Sequence, residues 1–313
     1  VTAPEFWRRR GLRARLLQPF SVITRAITAR RMRKPGFDPR IPVVCVGNAG
    51  IGGAGKTIVV MDVLHRMSGR PFALTRGYGG TTKGPMLVEP EFCAAEQVGD
   101  EALLLASAAP TVVARDRAAG ARLALAEGAT AVVMDDGLQN AGLKKTVSLL
   151  VIDGGYGFGN GLLLPAGPLR EPVMAAAARC HAAILIGDDE TGALKQLPPS
   201  LPVLRAHLIA DCGEKLGRRR VIAFAGIGRP EKFFRSVLSL GADIVDQHAY
   251  PDHHVYTTQD VNLLLDAASN QGAVLVTTAK DYVKLPAGLR AMTLVITVRL
   301  FWDDEVALKL LLP

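Results

Sequence analysis

Eight consecutive residues, Gly50, Ile51, Gly52, Gly53, Ala54, Gly55, Lys56 and Thr57, fit the spacing G-x-x-x-x-G-K-[ST] directly after an apolar run. Glycine backbone lets N–H groups turn inward and approach anionic oxygens closely. A helix starting near Gly55 adds the positive end of its dipole. Lys56 is then placed to reach the β- and γ-phosphates of a nucleotide, and the Thr57 hydroxyl to contact Mg²⁺. The expected ligand is a nucleoside triphosphate with Mg²⁺.

Such a loop needs an acid at the end of a neighbouring strand to hold the metal. The run Ala131–Met134 ends in Asp135, Asp136 and Gly137, and either aspartate could be the direct ligand. Four other stretches are rich in reactive side chains. Thr75–Gly80 offers Arg76 in a glycine loop, and Val98–Glu101 places Asp100 at a helix start. A loop from Gly157 to Gly161 carries Asn160 and runs on to Leu164–Pro172 with Arg170 and Glu171. Tyr250–His254 sets paired histidines beside Asp252. The wider ligand spacing of a zinc site is missing there, whereas a histidine hydrogen-bonded to a carboxylate can assist a general base.

Positioning these groups requires strands that end together. Strand patterns cover residues 43–46, 72–75, 111–114, 131–134, 148–152, 183–186, 221–224, 244–247, 274–277 and 293–298. Helical patterns cover 57–67, 101–107, 115–126, 232–239 and a terminal stretch 303–312. The alternation predicts an α/β fold: a P-loop NTPase-type, mostly parallel sheet domain followed by a second, smaller α/β domain. The Pro-rich stretch Pro198–Pro202 divides the chain into residues 1–200 and 201–313.

Charge is concentrated at one end. Residues 1–36 hold ten Lys/Arg against one acid, and removing them from the totals of 37 and 29 leaves 27 basic against 28 acidic residues. Within this segment Leu12, Leu16, Phe20, Ile23 and Ile27 recur at helical spacing, with Pro19 expected to kink the helix. A basic amphipathic helix of this kind suits the headgroup layer of an anionic membrane, while the alternative is a helix packed on its own protein. The near-neutral remainder speaks against a nucleic-acid partner, and no protein partner is inferred. Apolar runs are too short to span a bilayer and the arginines interrupt any signal-like core. Cys45, Cys93, Cys180 and Cys212 are scattered, as expected in a reducing compartment.

The series GNAGIGGAGKT, TRGYGG, VGDE, VMDDGLQN, GFGNGLLLPAGPLREP, FAGIGRPEKFF, YPDHH and TTAKDYVKL, in this order, resembles the tetraacyldisaccharide 4'-kinase (lipid A 4'-kinase) family over nearly the whole chain. The resemblance implies transfer of the γ-phosphoryl of ATP to the 4'-hydroxyl of an acylated glucosamine disaccharide 1-phosphate at the cytoplasmic face of the bacterial inner membrane. It implies two α/β domains around a cleft, joined by a strand-like hinge, with closure completing the site. It assigns nucleotide binding to Gly50–Thr57, with Lys56 neutralising charge and Thr57, Asp135 and Asp136 at the metal, assisted by Glu171. Asp100 becomes the catalytic base, His253 its partner across the cleft, and Arg170 the group that stabilises the transferring phosphoryl. Arg76 and Asn160 are assigned to the acceptor.

Two motifs depart from the family pattern. The family often has DDG-F-Q-H where Leu138 and Asn140 stand here, and TTEKD where Ala279 stands here. Rival readings are a metallochaperone-type GTPase, for which no N-K-x-D base-reading motif is present, and a membrane-associated ATPase switch.

Overall fold

The computed structural model describes residues 4–212 and 216–313, so residues 1–3 of the basic segment lie outside it. Its strands in chain order are β1 Val43–Gly47, β2 Pro71–Thr75, β3 Met86–Leu87, β4 Thr111–Val113, β5 Ala131–Asp135 and β6 Val147–Asp153. They continue with β7 Ala182–Ile186, β8 Val203–Asp211, β9 Arg220–Ala225, β10 Asp243–Ala249, β11 Val274–Thr278 and β12 Thr293–Trp302. All ten expected strands are present, joined by β3 and β8. They form one sheet in the order β10-β9-β11-β12-β8-β7-β6-β1-β5-β2-β4-β3. Pairing is parallel except between β3 and β4 and between β8 and β12.

Alternate residues of the central strands feed opposite layers, as a two-residue side-chain period requires. Val43 and Cys45 of β1 join Val132 and Met134 of β5 and Leu150 and Ile152 of β6 on one face. Val44 and Val46 join Ala131, Val133, Leu149 and Val151 on the other, under the helix Lys56–Arg66. Strands buried on both faces read as unbroken apolar runs, which is why they were visible in the sequence. Because β5 is followed by β6 on the far side of β1, the strand order reverses at β1. Ligands of open α/β sheets sit at the carboxyl ends of strands at such a point.

The C-terminal half has its own two apolar layers around β9, with Val221, Ala223 and Ala225 on one side and Ile222 and Phe224 on the other. The chain then returns. The first part of β12 pairs with β11, and its second part pairs with β8. Leu300, Trp302 and Leu308 of the final segment enter the layer beneath the Lys56–Arg66 helix. There Trp302 Nε1 donates to Asp62 at 3.0 Å, and Arg66 bridges Asp62 and Glu305 at 2.7 and 3.2 Å.

The N-terminal segment is helical over Leu12–Leu17 and Ser21–Met32, with Pro19 in a 3₁₀ turn, Gln18–Phe20, between them. Ala14, Leu17, Ser21, Thr24 and Thr28 face the protein. The apolar stripe Leu12, Leu16, Phe20, Ile23 and Ile27 faces outward, each residue 48–75% exposed. The helix thus packs on the protein through its small and hydroxyl-bearing face and not through its apolar stripe. Among the described residues no helix is long and apolar enough to cross a membrane.

If the returning segment is part of the P-loop core, Trp302→Ala should lower the unfolding free energy by about 3–5 kcal/mol, the usual loss for a buried Trp truncation. Urea denaturation followed by circular dichroism reads this directly. A loss below about 1 kcal/mol, the range of surface substitutions, would place the segment outside that core.

Candidate active site

The loop between β1 and the Lys56–Arg66 helix is shaped by its neighbours as well as by its own glycines. Gly55 takes φ 80°, and a side chain there would lie 2.7 Å from Ile186. The loop is paired with the Leu164–Pro172 stretch: Gly50 bridges Leu169, Ile51 N–H donates to Pro168 O at 2.8 Å, and Arg170 N–H donates to Ala49 O at 2.9 Å. Two motifs more than a hundred residues apart are therefore held in register by backbone bonds. Lys56 Nζ donates to Gly52 O at 3.1 Å and lies 3.7 Å from Asp136 Oδ1.

Asp135 ends β5 beside the last residues of β1, and Asp136 turns away from it with φ 52°. A non-glycine residue in the left-handed region costs of order 1 kcal/mol and needs the surroundings to hold it. Arg170 Nη1 supplies that hold, donating to Asp136 Oδ2 at 2.7 Å and to Gln139 Oε1 at 3.2 Å. Burial alone would raise the Asp136 carboxyl, but Lys56 and Arg170 outweigh it and keep the group below the ordinary carboxylate range. Asp135 goes the other way. Burial pushes it up to about 7, with the charge of Glu101 adding to the effect and Lys56 opposing it. Its Oδ1 is buried without a hydrogen-bond partner.

These oxygens fit a hard divalent cation. Mg²⁺ bound with a nucleotide takes only one or two carboxylates, the remaining ligands being phosphate oxygens and water. That agrees with the finding that no three metal-ligating side chains converge among the described residues. The unpartnered oxygen of Asp135, with Asp136 and the Thr57 hydroxyl, supplies the right donor chemistry. Glu171 is engaged elsewhere: Arg179 Nη2 grips both its oxygens at 2.7 and 2.6 Å, and Gln139 Nε2 donates to Oε1 at 2.8 Å. In this arrangement it fixes Gln139, which in turn fixes Arg170.

Asp100 begins the helix Asp100–Ala106 and is 3% exposed. Gly99 precedes it at φ 88°, where a side chain would strike Tyr78 O at 2.4 Å, so only glycine allows this approach. His253 Nδ1 lies 3.0 and 2.9 Å from the two Asp100 oxygens, joining the two halves of the chain. The two halves of the chain are thus in contact through this pair. An ionised carboxylate only accepts, so His253 donates Nδ1–H to it. Lys280 and Lys284 stand 3.7 and 3.9 Å from Asp100 Oδ2. Burial opposes ionisation of Asp100, but the His253 hydrogen bond and the Lys280 and Lys284 charges prevail and hold it below the ordinary range. His253 also has a left-handed backbone, φ 62°.

The other sequence-based assignments divide. Arg76 is exposed at the end of β2, and from its stretch it is Tyr78 that reaches the site, its ring 5.4 Å from that of His253. Asn160 makes no acceptor site. Its Nδ2 donates to Phe6 O and Ala166 O at 3.2 and 3.0 Å, and its Oδ1 accepts from Leu162 N–H at 3.0 Å. Its amide is consumed in tying the N-terminal arm to the Leu164–Pro172 loop. His254 points away from His253 into an aromatic cluster, stacked 4.6 Å from Tyr250 and bonded to Asp260 at 3.0 Å. Leu138 fills the core beside Gly47, and Asn140 closes a turn on Gly142 N–H at 2.8 Å.

Four residues belong to the site without having been singled out. Glu101 is raised by burial and acts on Asp135. Lys280 donates to Asp252 Oδ1 at 3.0 Å and lies 3.5 Å from His253 Nε2. Arg117 donates to the carbonyls of Ala114 and Asp135 beneath the carboxylates. Lys284 pairs with Asp281 at 2.8 Å, and Asp281 also accepts from Gly226 N–H at 3.0 Å. Glu101 and Lys280 were adjacent to named motif residues; Arg117 carried no signal beyond being one arginine in an apolar helix.

Comparison with known proteins bears on this arrangement. Residues 13–312 match the family described as Tetraacyldisaccharide-1-P 4'-kinase. The tetraacyldisaccharide 4'-kinase of Gluconacetobacter diazotrophicus is 52% identical over 316 residues, covering 99% of this chain and 97% of that protein. Its counterpart in Rhodospirillum rubrum is 49% identical, covering 100% and 97%. A crystal structure of LpxK from Aquifex aeolicus in complex with ATP superposes with a TM-score of 0.78 at 27% identity, over 96% of this chain and 98% of that one.

The raised Asp135 carboxyl has a measurable consequence. Because its native pKa lies near 7 and its ordinary value is 3.8, the native state binds the extra proton between these limits and stability falls as pH rises through them. Asparagine does not titrate. In nucleotide- and metal-free buffer, the Tm of Asp135→Asn relative to the parent should therefore rise by roughly 3–6 °C from pH 5 to pH 8. A Tm difference independent of pH would contradict the assignment.

Proposed function

The chain belongs to the tetraacyldisaccharide-1-P 4'-kinase family, and on that premise we propose how its residues carry out the reaction. The activity is transfer of the γ-phosphoryl of ATP to the 4'-hydroxyl of a tetraacyldisaccharide 1-phosphate in lipid A biosynthesis. The glycine loop Gly50–Thr57 cradles the β- and γ-phosphates, and Lys56 turns from Gly52 O and Asp136 to meet them. Thr57 and one of Asp135 and Asp136 would hold Mg²⁺, which would supply charge neutralisation at the nucleotide phosphates.

Arg170 is the second cation on the transferring group. The observation that carries this reading is the convergence of Lys56 and Arg170 on one carboxylate, Asp136, at 3.7 and 2.7 Å. Both guanidinium and ammonium are thereby aimed at the place where negative charge accumulates in the transition state. Asp100 accepts the proton of the 4'-hydroxyl, and His253 holds the carboxylate through Nδ1–H. A strong base is not needed, since phosphoryl transfer depends chiefly on positioning and charge stabilisation. Lys280 and Lys284 keep Asp100 ionised. The antiparallel β8–β12 pair joins the sheet of the P-loop part, through β7, to the C-terminal strands, through β11, and serves as the hinge between the two parts.

The acceptor's acyl chains belong in a bilayer, so the enzyme must work at its surface. The outward stripe of Leu12, Leu16, Phe20, Ile23 and Ile27, flanked by ten basic residues, supports contact with anionic lipid at the cytoplasmic face of the bacterial inner membrane. Each Lys or Arg near such a surface contributes about 1 kcal/mol.

With γ-labelled ATP, Mg²⁺ and the disaccharide 1-phosphate lipid in detergent, label should pass to the lipid, and Lys56→Ala should abolish transfer. Asp100→Asn and His253→Ala should each lower kcat by at least about 100-fold, the scale of a lost general base. Labelled free phosphate without labelled lipid would overturn the roles proposed for Asp100 and His253. For the membrane contact, Leu16→Glu with Ile23→Glu should release the protein from phosphatidylglycerol vesicles in sedimentation. Undiminished co-sedimentation would place the contact elsewhere.

A further inference from the structure

The inward face of the N-terminal helix is unusual in what it offers the protein. Ser21, Thr24 and Thr28, three and seven residues apart from the first, lie on one side of the helix. Their hydroxyls donate in turn to Leu163 O at 2.9 Å, Leu164 O at 2.8 Å and Arg170 O at 3.1 Å. These carbonyls belong to the loop that is paired with the phosphate-binding loop. Arg170 is held on both sides of its Cα: its N–H by Ala49 O of the glycine loop, its C=O by Thr28. Its guanidinium then reaches Asp136.

An open pocket of about 450 Å³ lies between helix and loop, bordered by Val22, Arg25, Leu162, Leu163, Val173 and Met174. Beside this opening, directional hydroxyl bonds tie the helix to the loop backbone, so a shift of the helix moves that backbone. The start of the loop is tied to the same arm: Trp7 Nε1 donates to Pro165 O at 3.2 Å and Arg10 Nε to Asn160 O at 2.9 Å.

We propose that Ser21, Thr24 and Thr28 are positioning residues for phosphoryl transfer, setting Arg170 according to how the helix is seated on the lipid surface. The inference rests on the roles given above to Arg170 and to the outward stripe, and it adds the link between them. The helix does more than attach the enzyme: seated, it fixes the carbonyl of Arg170 and so the direction of the guanidinium. A misplacement of about 1 Å in such a group is enough to cost on the order of 100-fold in rate.

Thr28→Val keeps the shape of the side chain and removes the donor, and Thr28→Ser keeps the donor. Assayed with phosphatidylglycerol vesicles carrying the lipid acceptor, Thr28→Val should lower kcat about tenfold. The KM for ATP and co-sedimentation with vesicles should stay unchanged, and Thr28→Ser should recover to within about twofold. In an Arg170→Lys background, Thr28→Val should add little further loss, because the two act as one unit. Additive losses, a Thr28→Ser as impaired as Thr28→Val, or full turnover in the triple variant Ser21→Ala, Thr24→Val, Thr28→Val would each overturn the coupling. Full turnover in Arg170→Lys alone would instead remove the role of Arg170 on which the coupling rests. Loss of vesicle binding in Thr28→Val would show the hydroxyls acting on attachment alone, and would also overturn it.

Discussion

The structure depends on a short backbone pairing: Ile51 N–H to Pro168 O and Arg170 N–H to Ala49 O. A glycine-rich loop is conformationally expensive to order, since glycine loses more freedom on folding than any other residue. Here part of that ordering is supplied from outside, by a second loop that adds a strand-like edge to the first. The same pairing delivers Arg170 to the nucleotide-facing end of β1. On the roles proposed above, one contact both shapes the phosphate cradle and supplies its second cation, so that mutations in either loop are coupled through it.

Around that contact the charges are arranged so that no carboxylate is alone. Asp136 is opposed by Lys56 and Arg170, Asp100 by Lys280 and Lys284, and Glu171 by Arg179. Among the described residues Asp135, Asp136 and Asp281 each keep one buried oxygen without a hydrogen bond, and of the first two only in Asp135 does burial prevail and push the carboxyl upward. Burying an unmatched carboxylate is costly, and proteins tolerate it mainly where a ligand supplies the missing charge. The two left-handed backbones at Asp136 and His253 are of the same kind, small local penalties held in place by the ion pairs and hydrogen bonds of the site.

How much of this was legible in the sequence follows from the physics of each signal. Strands buried on both faces are unbroken apolar runs, so β1, β5, β6 and β7 were readable; β8, with Arg205 and His207 facing out after a proline-rich stretch, lacks such a run and was not among the expected strands. The helix Thr258–Gln271 was passed over although Thr257 and Asp260 form a capping box at its start. Motif residues with fixed spacing, such as Lys56 and Asp135, were legible because backbone geometry ties their chemistry to their neighbours. The backbone bonding of Asn160 was not legible, because an asparagine in a functional loop looks the same whether its amide meets a ligand or its own backbone. Arg117 and Arg179 were not legible at all, because what they touch is decided by tertiary packing.

The N-terminal helix shows a similar limit, and its energetics say why its orientation is informative. Periodicity located its apolar stripe but could not tell whether that stripe faces the protein or leaves it. Leaving five large apolar side chains in water forgoes about 1.5–3 kcal/mol each relative to full burial. The three hydroxyl bonds on the inward face return about 0.5–1.5 kcal/mol each. On the proposed reading, an apolar phase outside the protein would complete the stability of this orientation. On that reasoning the hydroxyl bonds to the Arg170 loop are strongest as a set when the outer face is covered, which ties the geometry of the catalytic loop to the surface where the acyl chains of the acceptor lie.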